Sequence, residues 1–363
     1  MAKIALIILP LFGIVLNVYS ADGIKTDANY QLFSGGAKVL GMGLAGTSLA
    51  NDVSGLFFNP AGISLTNQHN LGTSSAELGV DRKFYNLNYI LPVGWEKNKA
   101  EEKEDFFPSK RKKRKNLFVP LDKFYSAGFG LGFINFNVSN IEARDDWGNR
   151  TGDFKDNENT YLLSYGQSVY KDLDLGLAVK YHSQKLETAS ASGVSFDLGA
   201  IFRPLDWKTS FGLAFQNIGG RLAWKVEDPI LKETSKYNEP LALKINFGGA
   251  YQAKRFTIAA DISYIEKRDL RYYLGAEYLL EKTVALRAGL ANFKPAFGLG
   301  FNFHNMNLDY AFVYDLSKLA NQHYSSLGMK FGQRFIKKSK NTKNKKSTKK
   351  SKKKKRTANE YDL

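Results

Sequence analysis

The chain has 363 residues, no cysteine and a formal net charge of +17. The absence of cysteine excludes a disulfide framework, thiolate metal sites and a lipid anchor on an N-terminal cysteine. Residues 337–356 contain 13 basic residues and no acidic one, so the rest of the chain has 39 basic against 35 acidic residues. The charge is therefore a property of the C-terminal tail, and the body, long enough for one large all-β domain, is nearly balanced.

Residues 1–20 have the pattern of a secretory signal peptide. Lys3 precedes an apolar run from Ile4 to Val18, and small residues follow it up to Ser20 and Ala21. The run is too short for a membrane-spanning helix, and no later segment supplies the roughly 18 uninterrupted apolar residues that such a helix needs. We therefore predict export from the cytoplasm, with cleavage after Ser20 or Ala21.

Residues 41–46 read GMGLAG, which matches the Gly-x-Gly-x-x-Gly turn of dinucleotide-binding proteins. Such a turn follows a buried strand, opens a helix and has an acidic residue about 20 positions later. The preceding stretch YQLFSGGAKVL is mixed and glycine-rich, and residues 61–70 contain no Asp or Glu. We therefore predict no nucleotide cofactor, and we expect the glycines to serve close packing, because glycine has no Cβ.

From about residue 69 onward, apolar and polar residues alternate. In RFTIAADISYI, for example, Phe256, Ile258 and Ile262 fall on one face and Asp261 falls on the other. A period of two predicts strands with one apolar face. Fourteen segments have this pattern: 69–79, 83–93, 123–137, 158–170, 172–185, 192–203, 208–217, 240–252, 255–266, 270–281, 283–291, 295–303, 306–315 and 322–335.

The connections between these segments also alternate. Tight turns contrast with longer predicted loops at 138–157, 186–191 and 218–239, and tyrosines stand near strand ends at 251, 264, 272, 278 and 314. This pattern is typical of an outer-membrane barrel, because only a closed sheet satisfies its backbone in lipid without helices. The predicted fold class is all-β, a transmembrane antiparallel β-barrel of about 14 strands. The alternative is a soluble β-sandwich, in which the apolar face would pack on a second sheet.

The segment GGAKVLGMGLAGTSLANDVSGLFFNPAGIS (35–64) resembles the N-terminal segment of FadL-like outer-membrane proteins, including the PorV branch and related uncharacterised families. The shared elements are a Gly-Ala-x-x-x-Gly-Met-Gly run from Gly36, an Ala-x-Asp element at Ala50, and Asn-Pro-Ala-Gly from Asn59. Residues 308–331 also resemble the last hairpin of that family. The resemblance implies a short helical hatch in the barrel lumen at 21–66, followed by the barrel at 67–335.

The resemblance also implies a function. It indicates a passive channel for hydrophobic or amphipathic small molecules that is gated by the hatch. Two alternatives stay open: a plug with no transport role, and a PorV-like accessory barrel that binds secreted proteins or a secretion machine. We expect Asn59-Pro60 to end a helix and to start the first strand. The candidate hatch and gating residues are Gly41, Gly43, Gly46, Phe57, Phe58, Asn59 and Pro60.

Charged residues occur on the predicted inward face of the barrel. They are candidates for a polar network in the lumen, or for ionic contacts that fix the hatch to the wall. A lumen of this polarity departs from the apolar pocket of a fatty-acid carrier. The four histidines are scattered and neither His-Glu-x-x-His nor Gly-x-Ser-x-Gly occurs, so we predict no catalysis, metal or cofactor. The inward charged residues are Lys180, Lys244, Asp261, Glu277, Arg287 and Asp309.

Two basic tracts interrupt the barrel pattern, one in a charged insertion at 94–116 and one in a Lys-rich tail at 336–363. If the hatch is periplasmic, strand one runs outward and every connection after an even-numbered strand is periplasmic. Both tracts then face the periplasm of a diderm bacterium, on the inner side of its outer membrane. Their candidate polyanion-binding residues are Lys110, Arg111, Lys112, Lys113, Arg114, Lys115, Lys352, Lys353, Lys354 and Lys355.

Exposed positive charge binds polyanions in a salt-sensitive way. Besides outer-membrane lipid, we therefore expect a periplasmic polyanion as partner: cell-wall polymer, inner-leaflet phosphate or an acidic protein. A disordered, merely solvated extension is the alternative. Specific nucleic-acid binding is not expected, because the tracts lack interleaved aromatic residues for base stacking. The tail also departs from the usual barrel ending, since 28 residues follow Phe335.

Overall fold

The computed structural model describes residues 35–79, 81–96, 124–145, 147–170, 172–204, 208–227, 232–268, 270–281, 283–314, 321–332 and 335–338. The predicted signal peptide, the basic run of the insertion and the Lys-rich tail beyond Lys338 lie outside these residues. No helix of the described chain has the length and apolar character needed to cross a membrane.

Three short helical pieces come first. They are α1 (Gly36–Gly41), α2 (Gly55–Phe58) and a 3-10 helix (Pro60–Leu65). Asn59 ends α2 as predicted, but the expectation that a strand starts there is wrong. The Asn59 Oδ1 atom accepts a hydrogen bond from the Ala61 amide, and proline is favourable at a helix start, so the chain turns into the 3-10 helix instead.

The rest of the described chain is almost entirely strand. The strands are β1 (His69–Glu77), β2 (Arg82–Glu96), β3 (Phe124–Arg144), β4 (Arg150–Ser168), β5 (Leu173–Leu186), β6 (Ala189–Phe202), β7 (Thr209–Glu227), β8 (Thr234–Pro240), β9 (Lys244–Gln252), β10 (Phe256–Ile265), β11 (Arg271–Leu280), β12 (Val284–Ala291), β13 (Lys294–Phe303), β14 (Met306–Val313), β15 (Gln322–Phe331) and β16 (Phe335–Lys338).

Fourteen of these strands form a closed antiparallel ring. Each pairs with its neighbour from β1 to β7 and from β9 to β15, β7 pairs with β9, and β15 returns to β1 with His69 opposite Phe331. Because the ring closes, no strand of the barrel wall has an unpaired edge along its full length. The predicted 14-strand β-barrel with short N-terminal helices is confirmed.

Two strands lie outside the ring. The distal part of β7, from Arg221 to Glu227, pairs with β8, and the break at 241–243 separates β8 from β9. The short strand β16 pairs in parallel with the end of β2, where Lys338 lies opposite Glu96. Phe335 was expected within the last barrel strand, but β15 ends at Phe331.

The predicted long loops at 138–157 and 218–239 are wrong in large part. β3 and β4 extend through the first of them, and β7 and β8 extend through the second. These extensions pass beyond the apolar belt, where the outward face of the sheet is polar and the inward face still carries apolar residues such as Leu222 and Trp224. The belt's pattern of apolar residues outward and polar residues inward therefore stops while the strand pairing continues.

The outward face of the barrel is an apolar belt. Phe129, Leu131, Ile258, Ile262 and Phe297 each expose 46–56% of their surface, and the five tyrosines predicted near strand ends, Tyr251, Tyr264, Tyr272, Tyr278 and Tyr314, expose 42–45%. A soluble sandwich would bury this face against a second sheet, which excludes that alternative. An outward apolar belt with interfacial aromatics is the lipid-facing surface of a transmembrane barrel.

Candidate functional site

The N-terminal segment fills the barrel lumen. We call residues 35–66 the hatch, and Asn51 is the one residue among them that is exposed. Helix α1 packs against β12–β15 and β1, whereas the 3-10 helix packs against β2–β6. The hatch therefore reaches from one side of the wall to the other.

Two glycines of GMGLAG, Gly41 and Gly43, seat the hatch on the wall, whereas Gly46 packs within the hatch, where a Cβ would lie 2.7 Å from the Val39 Cγ1 atom. A Cβ on Gly41 would lie 2.8 Å from the Gly298 Cα, and one on Gly43 would lie 2.5 Å from both the Leu274 carbonyl oxygen and the Leu290 nitrogen. Gly43 also has a φ of 60°, which favours glycine. At Gly41 and Gly43 the backbone of the hatch therefore lies directly against the backbone of the wall, which is the close packing expected of these glycines.

The wall presents matching glycines to the hatch. At seven of the ten described inward positions where an added Cβ would come within 3.0 Å of a hatch atom, the nearest hatch atom lies 2.0–3.0 Å from that Cβ and belongs to the hatch backbone or to Asn59. The atoms met belong to the hatch backbone at six positions and to the Asn59 side chain at one. Close approach on this scale requires glycine on the wall as well as in the hatch. The positions are Gly166, Gly176, Gly199, Gly212, Gly275, Gly289 and Gly298.

Polar contacts fix the hatch at several points. The Asp261 Oδ2 atom accepts hydrogen bonds from the backbone amides of Gly46 at 2.9 Å and Thr47 at 2.8 Å. The Asn59 Nδ2 atom donates to the carbonyl oxygen of Thr47 and to that of Ala200 in β6, both at 3.0 Å. Of the predicted inward charges, Asp261 is thus a direct contact between wall and hatch.

Arg287 is the centre of a buried ionic network under α1. Its Nε atom lies 2.7 Å from the Glu277 Oε2 atom, and its Nη1 atom lies 2.7 Å from the Asp309 Oδ1 atom. The Asn307 amide donates to the other Asp309 oxygen at 2.9 Å. The structure therefore brings together three of the predicted lumen residues, and a Cβ at Gly41 would lie 3.5 Å from the Arg287 Cβ.

Lys180 belongs to a second buried cluster on β5–β7. Its Nζ atom lies 2.6 Å from the Asp197 Oδ2 atom, and the two side chains are 2% and 0% exposed. The backbone N–H of Asn217 donates to the Asp197 Oδ1 atom at 2.9 Å. Asn217 stands at a bulge of β7 and has a φ of 62°. Lys244, at the start of β9, is half-buried and is not part of the Arg287 network.

His182 has the bonding of a structural histidine. Its Nδ1 atom lies 3.0 Å from the Thr160 Oγ1 atom, and its Nε2 atom lies 2.9 Å from the Ser195 Oγ atom. Both ring nitrogens thus face hydroxyl groups inside the barrel, and no carboxylate orients the ring as in a hydrolase triad. Within the described part of the chain, no group of three or more His, Cys, Asp or Glu side chains is arranged to hold a metal ion.

Sequence reasoning missed several residues of the site. Asp174 and Asp197 lie on the same alternating inward faces as the predicted charges, so strict use of the period would have found them. Asp174 accepts a hydrogen bond from the hatch Ser64 Oγ atom at 2.8 Å. Phe57 and Phe58, predicted for gating, are buried in the hydrophobic core of the hatch. The candidate residues of the two basic tracts lie outside the described chain.

Two polar cavities lie at the end of the lumen where β1 begins and β15 ends. One has a volume of about 180 Å³ and the other about 340 Å³, and Asn70 and Lys330 line both. The smaller cavity is lined by the Arg287 network together with Lys38 and Asp52 of the hatch. Unfilled space at this end of the barrel is thus bordered by charged and amide side chains.

The Lys38–Asp52 ion pair closes the hatch on itself. The Lys38 Nζ atom lies 2.9 Å from the Asp52 Oδ2 atom, and the Ser54 hydroxyl and amide donate to the Oδ1 atom. Burial alone would raise the pKa of the Asp52 carboxyl, but Lys38 and Ser54 hold that pKa well below its usual range. The Asp52 charge in turn raises the pKa of the Lys38 ammonium.

We expect the conductance of the closed protein to be constant between about pH 7 and about pH 9. The pKa of Asp52 is lowered on folding, so its charge stabilises the fold above pH 3.8, the unperturbed pKa, and this stability is lost as the pH falls through the folded pKa. The pKa of Lys38 is raised on folding, so its charge stabilises the fold below pH 10.5, the unperturbed pKa, and this stability is lost as the pH rises through the folded pKa. Planar-bilayer recordings across this range check the expectation. Asp52→Asn should raise the conductance throughout, and a pH-dependent opening of the unmodified protein would contradict it.

Known proteins resemble this chain in fold. No protein-family model and no curated protein matches the sequence. The toluene transporter TbuX of Ralstonia pickettii matches with a TM-score of 0.50 and 14% identity, over 83% of this chain and 98% of that one. The chain shares the barrel fold of this transporter.

Two further structures match less well. The CymD monoaromatic hydrocarbon channel has a TM-score of 0.47 and 14% identity, over 83% of this chain and 98% of that one. A Pseudomonas aeruginosa FadL homologue has a TM-score of 0.48 and 12% identity, over 82% of this chain and 98% of that one. At these identities the likeness concerns the fold alone.

Proposed function

We propose that the protein is an outer-membrane channel that passes hydrophobic or amphipathic small molecules by passive diffusion, with the hatch as its gate. One observation carries the proposal: a hatch seated by matching glycines blocks the lumen of a 14-strand barrel that shares the fold of a toluene transporter. Because the hatch occupies the lumen from wall to wall, passage requires at least part of it to move.

The lining of the lumen favours an amphipathic ligand. Where β1 ends and β2 begins, Leu78, Phe84 and Tyr324 form part of one apolar cluster and are at most 1% exposed. At the opposite end, the two cavities have polar linings. Once the hatch moves, a molecule with an apolar body and a single polar group would find a partner for each part, since binding sites combine apolar walls with a few polar groups.

Uptake by porin-deficient cells tests this proposal. Cells that express the barrel should take up a radiolabelled medium-chain carboxylate faster than cells without it, and a sugar of similar mass should enter both at the same rate. Extraction of the purified protein should also release bound amphipathic molecules. A folded barrel that accelerates neither solute would favour a plug without a transport role, and equal acceleration of both would indicate a general porin.

A second proposed function concerns the two basic tracts. The insertion leaves the described chain after Glu96 and returns at Phe124, and these two residues are paired across β2 and β3. Lys338, the last described residue before the tail, is paired with the same Glu96. Both tracts therefore start from one point on the barrel rim, which favours their joint binding of a polyanion: cell-wall polymer, inner-leaflet phosphate or an acidic periplasmic protein.

Proteolysis and salt test the tether and the proposed orientation. Trypsin added to intact cells should spare both tracts and cut them only after the outer membrane is breached. Retention on cell-wall preparations should weaken as salt is raised. Cleavage in unbroken cells would contradict a periplasmic location, and salt-insensitive retention would contradict an electrostatic tether. Co-purification of a secreted protein from detergent-solubilised membranes would support the accessory-barrel alternative.

A further inference from the structure

On the side of the barrel formed by β5 to β8, basic residues lie on the outward face beyond the apolar belt. On β5, Tyr181 is an outward aromatic residue that is 47% exposed, and Ser183 and Lys185 follow on the same face. β5 runs five residues beyond Tyr181, whereas β10 ends one residue after its own outward Tyr264. The wall from β5 to β8 thus presents a polar outward surface past the aromatic boundary of the apolar belt.

Cross-strand pairing aligns the charges of this surface. Lys185 on β5 is opposite Ser190 on β6, Ser190 is opposite Lys225 on β7, and Lys225 is opposite Lys236 on β8. Because neighbouring strands lie about 4.8 Å apart, Lys225 is about 5 Å from Lys236 and about 10 Å from Lys185 across the sheet. Arg221 lies on the same face of β7, opposite the outward Val194. We call Lys185, Arg221, Lys225 and Lys236 the basic band.

No negatively charged residue within the basic band balances its four positive charges. All four side chains are exposed, and within the described residues none of them forms an ion pair. Like charges directly opposite each other, as at Lys225 and Lys236, destabilise a sheet. The exposed acids Glu187 and Glu227 lie two residues beyond Lys185 and Lys225, so negative charge in these strands flanks the row of lysines on its rim side. The arrangement suits an external ligand with several negative charges.

The neighbours of the band supply hydrogen-bonding groups. Ser183 and Ser192 face each other on β5 and β6, and Asn159 and Asn157 continue the outward polar surface on β4. Hydroxyl and amide groups bind sugars, whereas lysine binds phosphate as a point charge. The surface as a whole therefore matches a phosphorylated saccharide.

The position of the band decides which saccharide it meets. This inference rests on the proposed orientation, in which the hatch and Lys338 lie on the periplasmic side; the band then lies at the outer leaflet, just past the aromatic residues that mark the lipid interface. The outer leaflet of a diderm outer membrane consists of phosphorylated glycolipid. We propose that the basic band binds the phosphate groups of this glycolipid and that the adjacent serines and asparagines bind its sugars.

Native mass spectrometry of the purified barrel in detergent tests the proposal. The lipids compared are bisphosphorylated lipid A, its dephosphorylated form and phosphatidylglycerol. The test variant carries Lys185→Gln, Lys225→Gln and Lys236→Gln, and the matched control carries Lys208→Gln, Lys254→Gln and Arg255→Gln, which are exposed at the other rim. Heat-modifiable gel mobility establishes that each variant is folded.

The unmodified protein should bind bisphosphorylated lipid A at least about tenfold more tightly than the other two lipids, since a lysine near an anionic surface contributes appreciably to binding. The test variant should lose this preference and the control should retain it. Three results would each overturn the proposal: unchanged binding by the test variant, equal binding of phosphatidylglycerol, or displacement of lipid A by equimolar inorganic phosphate.

A stability measurement separates lipid binding from a merely structural role. Without glycolipid, Lys236→Gln should leave the unfolding temperature of the barrel equal or raise it, because one member of the Lys225–Lys236 pair is removed. With bisphosphorylated lipid A, the same variant should gain less stability than the unmodified protein. An equal gain would contradict the assignment.

Discussion

Replacement of Gly43 by valine is expected to open the lumen. At a φ of 60°, a β-branched residue is strained by about 1–3 kcal/mol, and its Cβ would lie 2.5 Å from backbone atoms of β11 and β12. Those backbone atoms belong to the paired wall and cannot retreat, so the hatch must shift. The seated fraction should fall about tenfold or more, since about 1.4 kcal/mol is a factor of ten. Planar-bilayer conductance measures the resulting leak.

Gly152→Val is the matched control for this experiment. Nothing lies within 4 Å of a Cβ at Gly152, which stands on the exposed extension of β4. The control should conduct like the unmodified protein, and heat-modifiable mobility should show that both barrels are folded. Equal currents from the two folded variants would refute the seating of the hatch by Gly43.

Replacement of Lys180 by methionine is expected to destabilise the barrel by about 3–5 kcal/mol. The change keeps most of the side-chain volume but leaves the fully buried Asp197 carboxylate without its 2.6 Å partner. The unfolding free energy is obtained from the fraction of the barrel that is folded in lipid vesicles at each urea concentration, with gel mobility as the readout. A second change, Asp197→Leu, should restore part of the loss, because it removes the uncompensated charge.

The Arg150–Asp153 pair provides the control for this prediction. It is also 2.6 Å long, but its side chains are 61% and 38% exposed. Water and salt screen such a pair, so Arg150→Met should leave the unfolding free energy nearly unchanged. If Lys180→Met cost no more than Arg150→Met, the Lys180–Asp197 pair would have no special role in stability.

The sequence allowed the barrel to be predicted because lipid outside and polar atoms inside impose a period of two. Ile258 and Ile262 face lipid while Asp261 faces the lumen, as the pattern predicted. The same reasoning failed past the apolar belt. Asn135, Asn157 and Asn159 face outward there and bond to one another, so the extended β3–β4 hairpin has no outward apolar face to reveal it.

The site was predictable only in part. The packing role of Gly41 and Gly43 follows from their lack of a Cβ and from the resemblance to a hatch segment. Their partners do not, because the bond between Asp261 and the Gly46 amide joins residues 215 positions apart and depends on the register of the closed sheet. The left-handed Asn217 at the β7 bulge has no signal in the sequence.

A reversible cross-link between hatch and wall tests the gating claim most directly. A Cβ at Gly72 of β1 would lie 3.5 Å from the Val53 Cβ of the hatch, which is within the range of a disulfide of about 3.5–4.5 Å. Because the chain has no cysteine, Val53→Cys with Gly72→Cys creates a single pair. The measurement is uptake of a radiolabelled medium-chain carboxylate into proteoliposomes, with the disulfide oxidised and then reduced.

The oxidised protein should take up the carboxylate no faster than protein-free vesicles. Reduction should restore the rate of the unmodified barrel, whose own rate should not respond to reductant. Equal uptake by the oxidised and reduced protein, with the disulfide formed in full, would contradict the claim that the part of the hatch around Val53 must leave the wall for a molecule to pass.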